Sequence, residues 1–142
     1  MLYDTDVIIW ILRGNEKAAC LFDQDPGRSI SIISFMELFQ GARDKADMRF
    51  IKDFLKKCMV ANLPLSENVG HRASIYMEEF GLSSGLRVAD ALIAATAAEN
   101  GLPLCTGDQK HFRHIRELEI SVFRPRHIAP AAGLTVKGIS NG

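Results

Sequence analysis

The chain has 142 residues, of which 47% are hydrophobic and 24% charged, and its 17 basic residues balance 17 acidic ones. This composition predicts one globular domain and excludes a disordered chain or a polycation that coats nucleic acid, although a local basic face stays possible. The longest apolar run, residues 7–12, is far shorter than the ~20 residues of a membrane span, and we expect no secretory signal. Three distant cysteines exclude a disulfide scaffold and a zinc finger and favour a reducing cytoplasm.

Strand and helix signals alternate along the chain. From the N-terminus they predict a strand at 2–4, helices at 7–13 and 15–22, a strand at 28–33, helices at 34–42 and 47–57, a strand at 60–63, helices at 66–80 and 88–100, a strand at 104–106, a helix at 108–114 and a strand at 119–123. This order predicts an α/β fold: a central parallel sheet of four to five strands between two helical layers. Residues 1–125 form the expected domain, and residues 126–142 are expected to be a poorly ordered tail.

Acidic side chains stand where the predicted strands give way to helices, namely Asp4, Glu37, Asp90 and Asp108. Each has a local explanation, because Ser34 and Glu37 match a capping box, and Asp90 and Asp108 favour the positive ends of helices. Parallel strands, however, bring their carboxyl ends to one edge, so we expect the four acids to converge. Carboxylates in one pocket repel one another unless a cation lies among them, and such ligands suit Mg²⁺ or Mn²⁺. A metal held there activates water for attack on a phosphodiester.

Four segments then resemble the motifs of one family, the PIN-domain ribonucleases: LYDTDVII (residues 2–9), SFMEL (34–38), ADALIAATA (89–97) and TGDQKHF (106–112). The resemblance extends over about residues 1–125, in the family's motif order. It is closest to the VapC-type toxins of bacterial and archaeal toxin–antitoxin pairs. It implies a cytoplasmic, homodimeric, Mg²⁺-dependent endoribonuclease that accepts Mn²⁺, cleaves RNA and binds a cognate antitoxin.

The resemblance also assigns roles to single residues. Asp4 and Asp90 match the two metal-binding aspartates, and Glu37 matches the glutamate after the second strand. Asp108 matches the acid after the fourth strand and is expected to be a third metal ligand. All four acids are the expected catalytic residues. Thr106 takes the place of a hydroxyl that orients the substrate or a metal-bound water.

Three features of the sequence have more than one interpretation. Asp6 stands where many family members have asparagine, and it either adds a fifth charge or caps the first helix, which we favour. Trp10 lies in the apolar segment 7–12, which is buried as core, at a homodimer contact or in a groove for the antitoxin peptide. The basic stretch 109–127 suits an RNA backbone beside the metal or forms an ordinary solvated face. No role is assigned to His111 or His114.

Two other functions compete with the nuclease. Asp4-Thr5-Asp6-Val7 after an apolar strand also fits a haloacid-dehalogenase-type phosphatase, with Asp4 as nucleophile and Asp6 as acid/base. Phe112, however, stands where that family needs a late aspartate. The non-enzymatic alternative is a PIN-like module that only binds a partner, and the presence of all four acids disfavours it.

Overall fold

A computed structural model describes residues 1–125, and its strands form one sheet. The strands are β1 (Leu2–Tyr3), β2 (Ser29–Ser31), β3 (Ala61–Leu63), β4 (Leu104–Thr106) and β5 (Ile120–Val122). They lie in the order β3-β2-β1-β4-β5, and every neighbouring pair is parallel. The predicted α/β domain with a parallel sheet is confirmed. The tail expected at residues 126–142 lies outside the described residues.

The helices within the described residues are α1 (Thr5–Leu12), α2 (Glu16–Asp23), α3 (Ile32–Gln40), α4 (Lys45–Lys57), α5 (Glu67–Phe80), α6 (Val88–Glu99) and α7 (Gln109–Phe112). Local signals set many of their ends. Asn15 caps α2 by accepting a hydrogen bond from the Ala18 amide at 2.9 Å, and Ser66 caps α5 through the Val69 amide at 3.1 Å. Gly101, with φ of 62°, follows the end of α6 in the left-handed region that favours glycine.

Successive residues of the central strands point into two different cores. Leu2 and Leu104 pack with residues of α5, α6 and α7, whereas Tyr3 and Cys105 pack with residues of α1 to α4. Each buried side chain of this size contributes roughly 1.5–3 kcal/mol relative to an exposed one. Because side chains alternate across a strand, the sheet lies between two helical layers. The three-layer arrangement is therefore as predicted.

The order of the strands reverses next to β1. From β1 the chain adds β2 and β3 on one side, and it then crosses to β4 and β5 on the other side. In parallel α/β sheets, ligands bind beyond the carboxyl ends of the strands at such a reversal. Asp4 follows β1 directly, and Gly107 and Asp108 follow β4. The fold therefore places these residues at the position where a ligand is expected.

The start of α3 differs from the prediction. Ser31 caps this helix, because its Oγ accepts a hydrogen bond from the Ser34 amide at 3.0 Å. The strand therefore ends at Ser31, and Ile32 and Ile33 lie in the first helical turn despite their β-branched side chains. Ser34 is buried inside that turn. The predicted capping box of Ser34 and Glu37 is wrong.

The apolar segment 7–12 lies mainly in the core. Val7, Ile8, Ile11 and Leu12 are buried, while Ile9 and Trp10 pack against the same core and stay partly exposed. The Arg13 guanidinium lies 5.9 Å from the Trp10 ring centroid. The core interpretation therefore accounts for most of this segment. No helix within residues 1–125 is long and apolar enough to cross a membrane.

Candidate active site

Asp4 lies at the end of β1 with only 7% of its surface exposed. Its Oδ1 caps α1 by accepting a hydrogen bond from the Thr5 amide at 2.8 Å. Its Oδ2 accepts a hydrogen bond from Thr106 Oγ1 at 2.7 Å, and Thr106 is fully buried at the end of β4. Both oxygens therefore have a donor, and the Thr106 bond joins the ends of β1 and β4.

Asp6 does not cap the first helix, so that expectation is wrong. Asp4 takes the cap because its backbone is extended (φ −67°, ψ 156°), whereas Asp6 already lies in the first turn of α1. Asp6 Oδ2 accepts a hydrogen bond from the Gly107 amide at 3.0 Å. Its Oδ1 is buried and has no hydrogen-bond partner among the described residues. Asp6 therefore adds a fifth acidic side chain to this edge of the sheet.

Glu37 reaches the same edge from α3. Its Oε1 accepts a hydrogen bond from Thr5 Oγ1 at 2.7 Å. Because Thr5 directly follows Asp4, this bond holds the Glu37 carboxylate beside the end of β1. Glu37 also lies in the interior of α3, away from the helix start where a capping-box partner would be.

Asp108 caps α7 and is linked to Asp4 through Thr106. Asp108 Oδ1 accepts a hydrogen bond from the His111 amide at 3.4 Å, and Oδ2 lies 2.5 Å from His111 Nδ1. The Asp108 amide in turn donates to Thr106 Oγ1 at 3.0 Å. A single hydroxyl group thus connects the chain at Asp108 with the carboxylate of Asp4. Nothing in the sequence pattern had assigned His111 to the site.

Asp90 is partly buried in the first turn of α6, where its Oδ2 accepts a hydrogen bond from the Arg87 amide at 3.2 Å. Burial raises the pKa of Asp90, and the bond from Arg87 opposes this rise. The positive charge of His111 also lowers the pKa, whereas the negative charge of Asp108 raises it. Asp90 therefore lies within electrostatic range of both side chains.

The aspartates at this edge perturb one another. Burial raises the pKa of Asp4 to about 7, and the negative charges of Asp6 and Asp90 add to the rise, while the Thr106 hydrogen bond opposes it. Burial also raises the pKa of Asp6, and the charge of Asp108 contributes to that rise. The structure thus brings together Asp4, Asp90 and Asp108 with the added Asp6. In the absence of a cation, their ionised forms destabilise one another.

This set of side chains fits a hard divalent cation in donor type and in charge. All the donors are carboxylate oxygens, and one Asp6 oxygen is buried with no hydrogen-bond partner within residues 1–125. The raised pKa of Asp4 marks charge that a cation would offset. Within residues 1–125, however, no three His, Cys, Asp or Glu side chains are grouped as a formed metal site. The roles of Asp4, Glu37, Asp90 and Asp108 therefore stay predictions.

Basic side chains lie beside the acidic edge. Arg124, which follows β5, donates from Nη1 to the Gly107 carbonyl at 2.6 Å. Lys110, Arg113 and Arg116 are exposed, as the solvated-face interpretation requires. Arg126 and His127, at the end of the predicted basic stretch, lie outside the described residues. Whether this stretch contacts RNA stays a prediction.

A cavity of about 660 Å³ lies elsewhere, between α5, the end of α6 and residues 114–117, and none of the acids above lines it. Arg72 lines this cavity and forms two ion pairs, with Nε 2.7 Å from Glu99 Oε1 and Nη1 2.7 Å from Glu117 Oε1. Tyr76 donates a further hydrogen bond to Glu117. These charged groups are paired with one another, so the network explains their presence without a ligand.

A comparison with protein families identifies the fold. A family model described as PIN domain matches residues 1–118, which is most of the chain. The chain belongs to the PIN-domain family. The matched segment of this PIN domain contains Asp4, Glu37, Asp90 and Asp108, and the resemblance found in its motifs is confirmed. No curated protein matches its sequence.

Solved structures resemble the PIN domain over most of its length. The toxin–antitoxin complex from Klebsiella pneumoniae is 27% identical with a TM-score of 0.71, and the match covers 89% of this chain and 98% of that chain. VapBC2 from Rickettsia felis, bound to a DNA fragment from their promoter, is 21% identical with a TM-score of 0.69, covering 87% and 100%. FitAcB from Neisseria gonorrhoeae is 24% identical with a TM-score of 0.65, covering 89% and 99%. The last two likenesses establish the fold alone.

Proposed function

We propose that this PIN domain is a divalent-metal-dependent endoribonuclease and the toxin of a toxin–antitoxin pair. The observation that carries this proposal is the link from Asp4 to Asp108 through Thr106 Oγ1 where the strand order reverses between β1 and β4, with Asp90 within electrostatic range of both. Membership of the PIN-domain family supports nuclease chemistry, and the likeness to the Klebsiella pneumoniae toxin–antitoxin complex supports a toxin role.

Asp4, Asp90 and Asp108 would hold Mg²⁺, for which Mn²⁺ can substitute. A cation of this kind, when bound, lowers the pKa of water and offsets negative charge on phosphate oxygens. Thr106 orients the Asp4 carboxylate toward that task through its 2.7 Å hydrogen bond. Glu37, held by Thr5, provides a carboxylate that accepts a proton from the attacking water. Cleavage by this set needs no nucleophilic side chain.

The direct test is cleavage of a structured RNA by the purified full chain in Mg²⁺, in Mn²⁺ and in excess EDTA. We expect cleavage with either metal and none in EDTA, and we expect the Asp4→Asn variant to be inactive in all three conditions. Full activity in excess chelator would contradict the metal-dependent mechanism. Intact RNA with both metals would instead support the module that only binds a partner. A single-stranded DNA of the same sequence tests the preference for RNA.

The proposed partner is a cognate antitoxin, and the proposed state is a cytoplasmic homodimer. The likeness to the toxin–antitoxin complex from Klebsiella pneumoniae supports the partner. Co-expression with the product of a short reading frame immediately upstream should yield a stable complex in which RNA cleavage is suppressed. Light scattering of the isolated protein should give twice the 15.7 kDa mass of the chain. A monomer, or active nuclease in the complex, would contradict these parts of the proposal.

No observation favours the phosphatase alternative. Phe112 stands where a phosphatase of that type needs a late aspartate, and it is fully buried in the core. The alternative is therefore retained only as an outcome to be tested.

A further inference from the structure

We infer that Asp6 is a positioning residue of the proposed nuclease site. Together with Arg124 it clamps the two backbone peptide groups on either side of the Gly107 Cα, and this clamp sets how Asp4 and Asp108 are spaced. The inference rests on the proposed function, because it concerns how the carboxylates that would hold the metal are kept in place.

The backbone at Gly107 is held at both its amide and its carbonyl. Its amide donates to Asp6 Oδ2 at 3.0 Å, and its carbonyl accepts from Arg124 Nη1 at 2.6 Å. Asp6 belongs to α1 and Arg124 follows β5, so two separate elements fix the two peptide groups that flank the Gly107 Cα, one joined to Thr106 and the other to Asp108. Arg124 is itself tied to the fold, since its carbonyl accepts a hydrogen bond from Lys17 Nζ at 2.7 Å.

The residues on either side of Gly107 carry the link between the two proposed metal ligands. Thr106 Oγ1 donates to Asp4 Oδ2 at 2.7 Å, and the Asp108 amide donates to the same Thr106 oxygen at 3.0 Å. A displacement of Gly107 moves both neighbours, because they are joined to it by rigid peptide groups. The clamp therefore acts on Asp4 and Asp108 together.

The space around position 107 shows that Asp6 approaches the backbone closely. A Cβ atom at position 107 would lie 2.7 Å from Asp6 Oδ2 and 3.4 Å from the Phe123 carbonyl oxygen. Only glycine lets the Asp6 carboxylate reach the amide at this distance. Asp6 also has no role as a helix cap, because Asp4 caps α1. The contact with the Gly107 amide joins this buried carboxylate to the end of β4.

The test compares Asp6→Ala, Asp6→Asn and Gly107→Ala with wild type, measuring Mn²⁺ affinity by electron paramagnetic resonance of the free ion. Loss of a group that supports metal ligands typically weakens affinity 10–100-fold, and we expect roughly this loss for Asp6→Ala and Gly107→Ala. Asp6→Asn should retain most of the affinity, because an amide oxygen still accepts from the Gly107 amide. The control Ser66→Ala removes the cap of α5 and should lower the melting temperature without changing Mn²⁺ affinity.

Three results overturn the inference, two in the Mn²⁺ binding assay and one in hydrogen exchange. If Asp6→Ala binds Mn²⁺ like wild type, the clamp does not position the ligands. If Asp6→Asn binds Mn²⁺ as weakly as Asp6→Ala, the carboxylate charge itself is required and Asp6 acts as a ligand.

If the wild type binds no Mn²⁺, the proposed function fails, and amide hydrogen exchange then tests the clamp by itself. Exchange at Gly107 and Asp108 should be faster in Asp6→Ala than in Asp6→Asn, and equal rates would refute it.

Discussion

Replacing Asp4 with asparagine is expected to stabilise the metal-free protein at alkaline pH. The folded protein raises the pKa of Asp4 from 3.8 to about 7, so holding the carboxylate ionised in the fold is unfavourable. At 1.36 kcal/mol for each pKa unit, this rise corresponds to at most about 4 kcal/mol at pH 8. Asparagine carries no charge and avoids this cost.

The Asp4→Asn variant keeps one of the two hydrogen bonds of Asp4, and the cost of remaking the other reduces the expected gain in stability. The amide oxygen of asparagine still accepts the hydrogen bond from the Thr5 amide, and asparagine caps helices about as well as aspartate. The contact with Thr106 Oγ1 has to be remade with the amide as donor, at a cost of about 1–2 kcal/mol. The net gain is then about 2–3 kcal/mol, which for a domain of this size raises the melting temperature by roughly 5–10 °C.

The dependence on pH follows from the direction of the shift. A carboxyl group whose pKa is raised in the fold contributes stability that is complete below its unfolded pKa of about 4 and is lost as the pH rises through about 7. Thermal melts in EDTA should therefore show the wild type losing stability from pH 5 to pH 7, with little further change above. Asp4→Asn should lose much less over the same range.

Asp25 provides a control with the opposite sign. Burial would raise the pKa of Asp25, but hydrogen bonds from the N-terminal ammonium at 2.7 Å and from Tyr3 Oη at 2.9 Å lower it. Asp25→Asn should therefore destabilise the protein at pH 8. If Asp4→Asn also melts at a lower temperature there, and the wild type shows no loss between pH 5 and pH 7, then burial and the neighbouring acids do not destabilise the ionised Asp4 and the reasoning is wrong.

Two further predictions concern the cation and the chemistry. Mg²⁺ at 100 times its dissociation constant should stabilise the wild type by about 2.7 kcal/mol, because the unfolded chain has no assembled site, and it should shift the melting temperature of Asp90→Asn far less. An equal shift in both proteins would place the ion elsewhere. Asp90→Asn should lose RNA cleavage as completely as Asp4→Asn in a gel assay with Mg²⁺. A phosphoaspartate trapped on Asp4 with a phosphate monoester would instead favour the phosphatase.

Much of the fold was predictable because its signals are local. Strands alternate with helices, and the residues just before α2 and α5, Asn15 and Ser66, accept hydrogen bonds from amides of the first helical turn. The start of α3 was predicted wrongly because Ile32 and Ile33 are β-branched and continue the pattern of β2. In the structure the pairing of β2 with β3 ends at Ser31, and its side chain then caps the helix. The β-branched residues Ile32 and Ile33 are therefore helical, because strand pairing ends at Ser31 and the cap formed by Ser31 outweighs their local preference for a strand.

The hydrogen-bond partner of Asp6 could not be predicted from the local sequence pattern. Its decisive contact is with the Gly107 amide, 101 residues away in the sequence, and it forms only when α1 and β4 are side by side. A sequence signal was nevertheless present, because Asp4 and Asp6 both stand at the start of one helix and only one of them can cap it. The residue that does not cap then needs another partner.

The two explanations of the acids, as helix-start residues and as members of one site, do not compete. Asp4, Asp90 and Asp108 each accept a hydrogen bond from a backbone amide at the start of α1, α6 or α7. These helices begin at the same edge of the sheet, so the amides that complete each helix also stabilise negative charge there. Thus the fold lowers the cost of assembling carboxylates. Burial first, and then the charges of Asp6 and Asp90, still raise the pKa of Asp4 to about 7, so these bonds offset only part of the cost of holding it ionised there, and a bound cation would offset more of it.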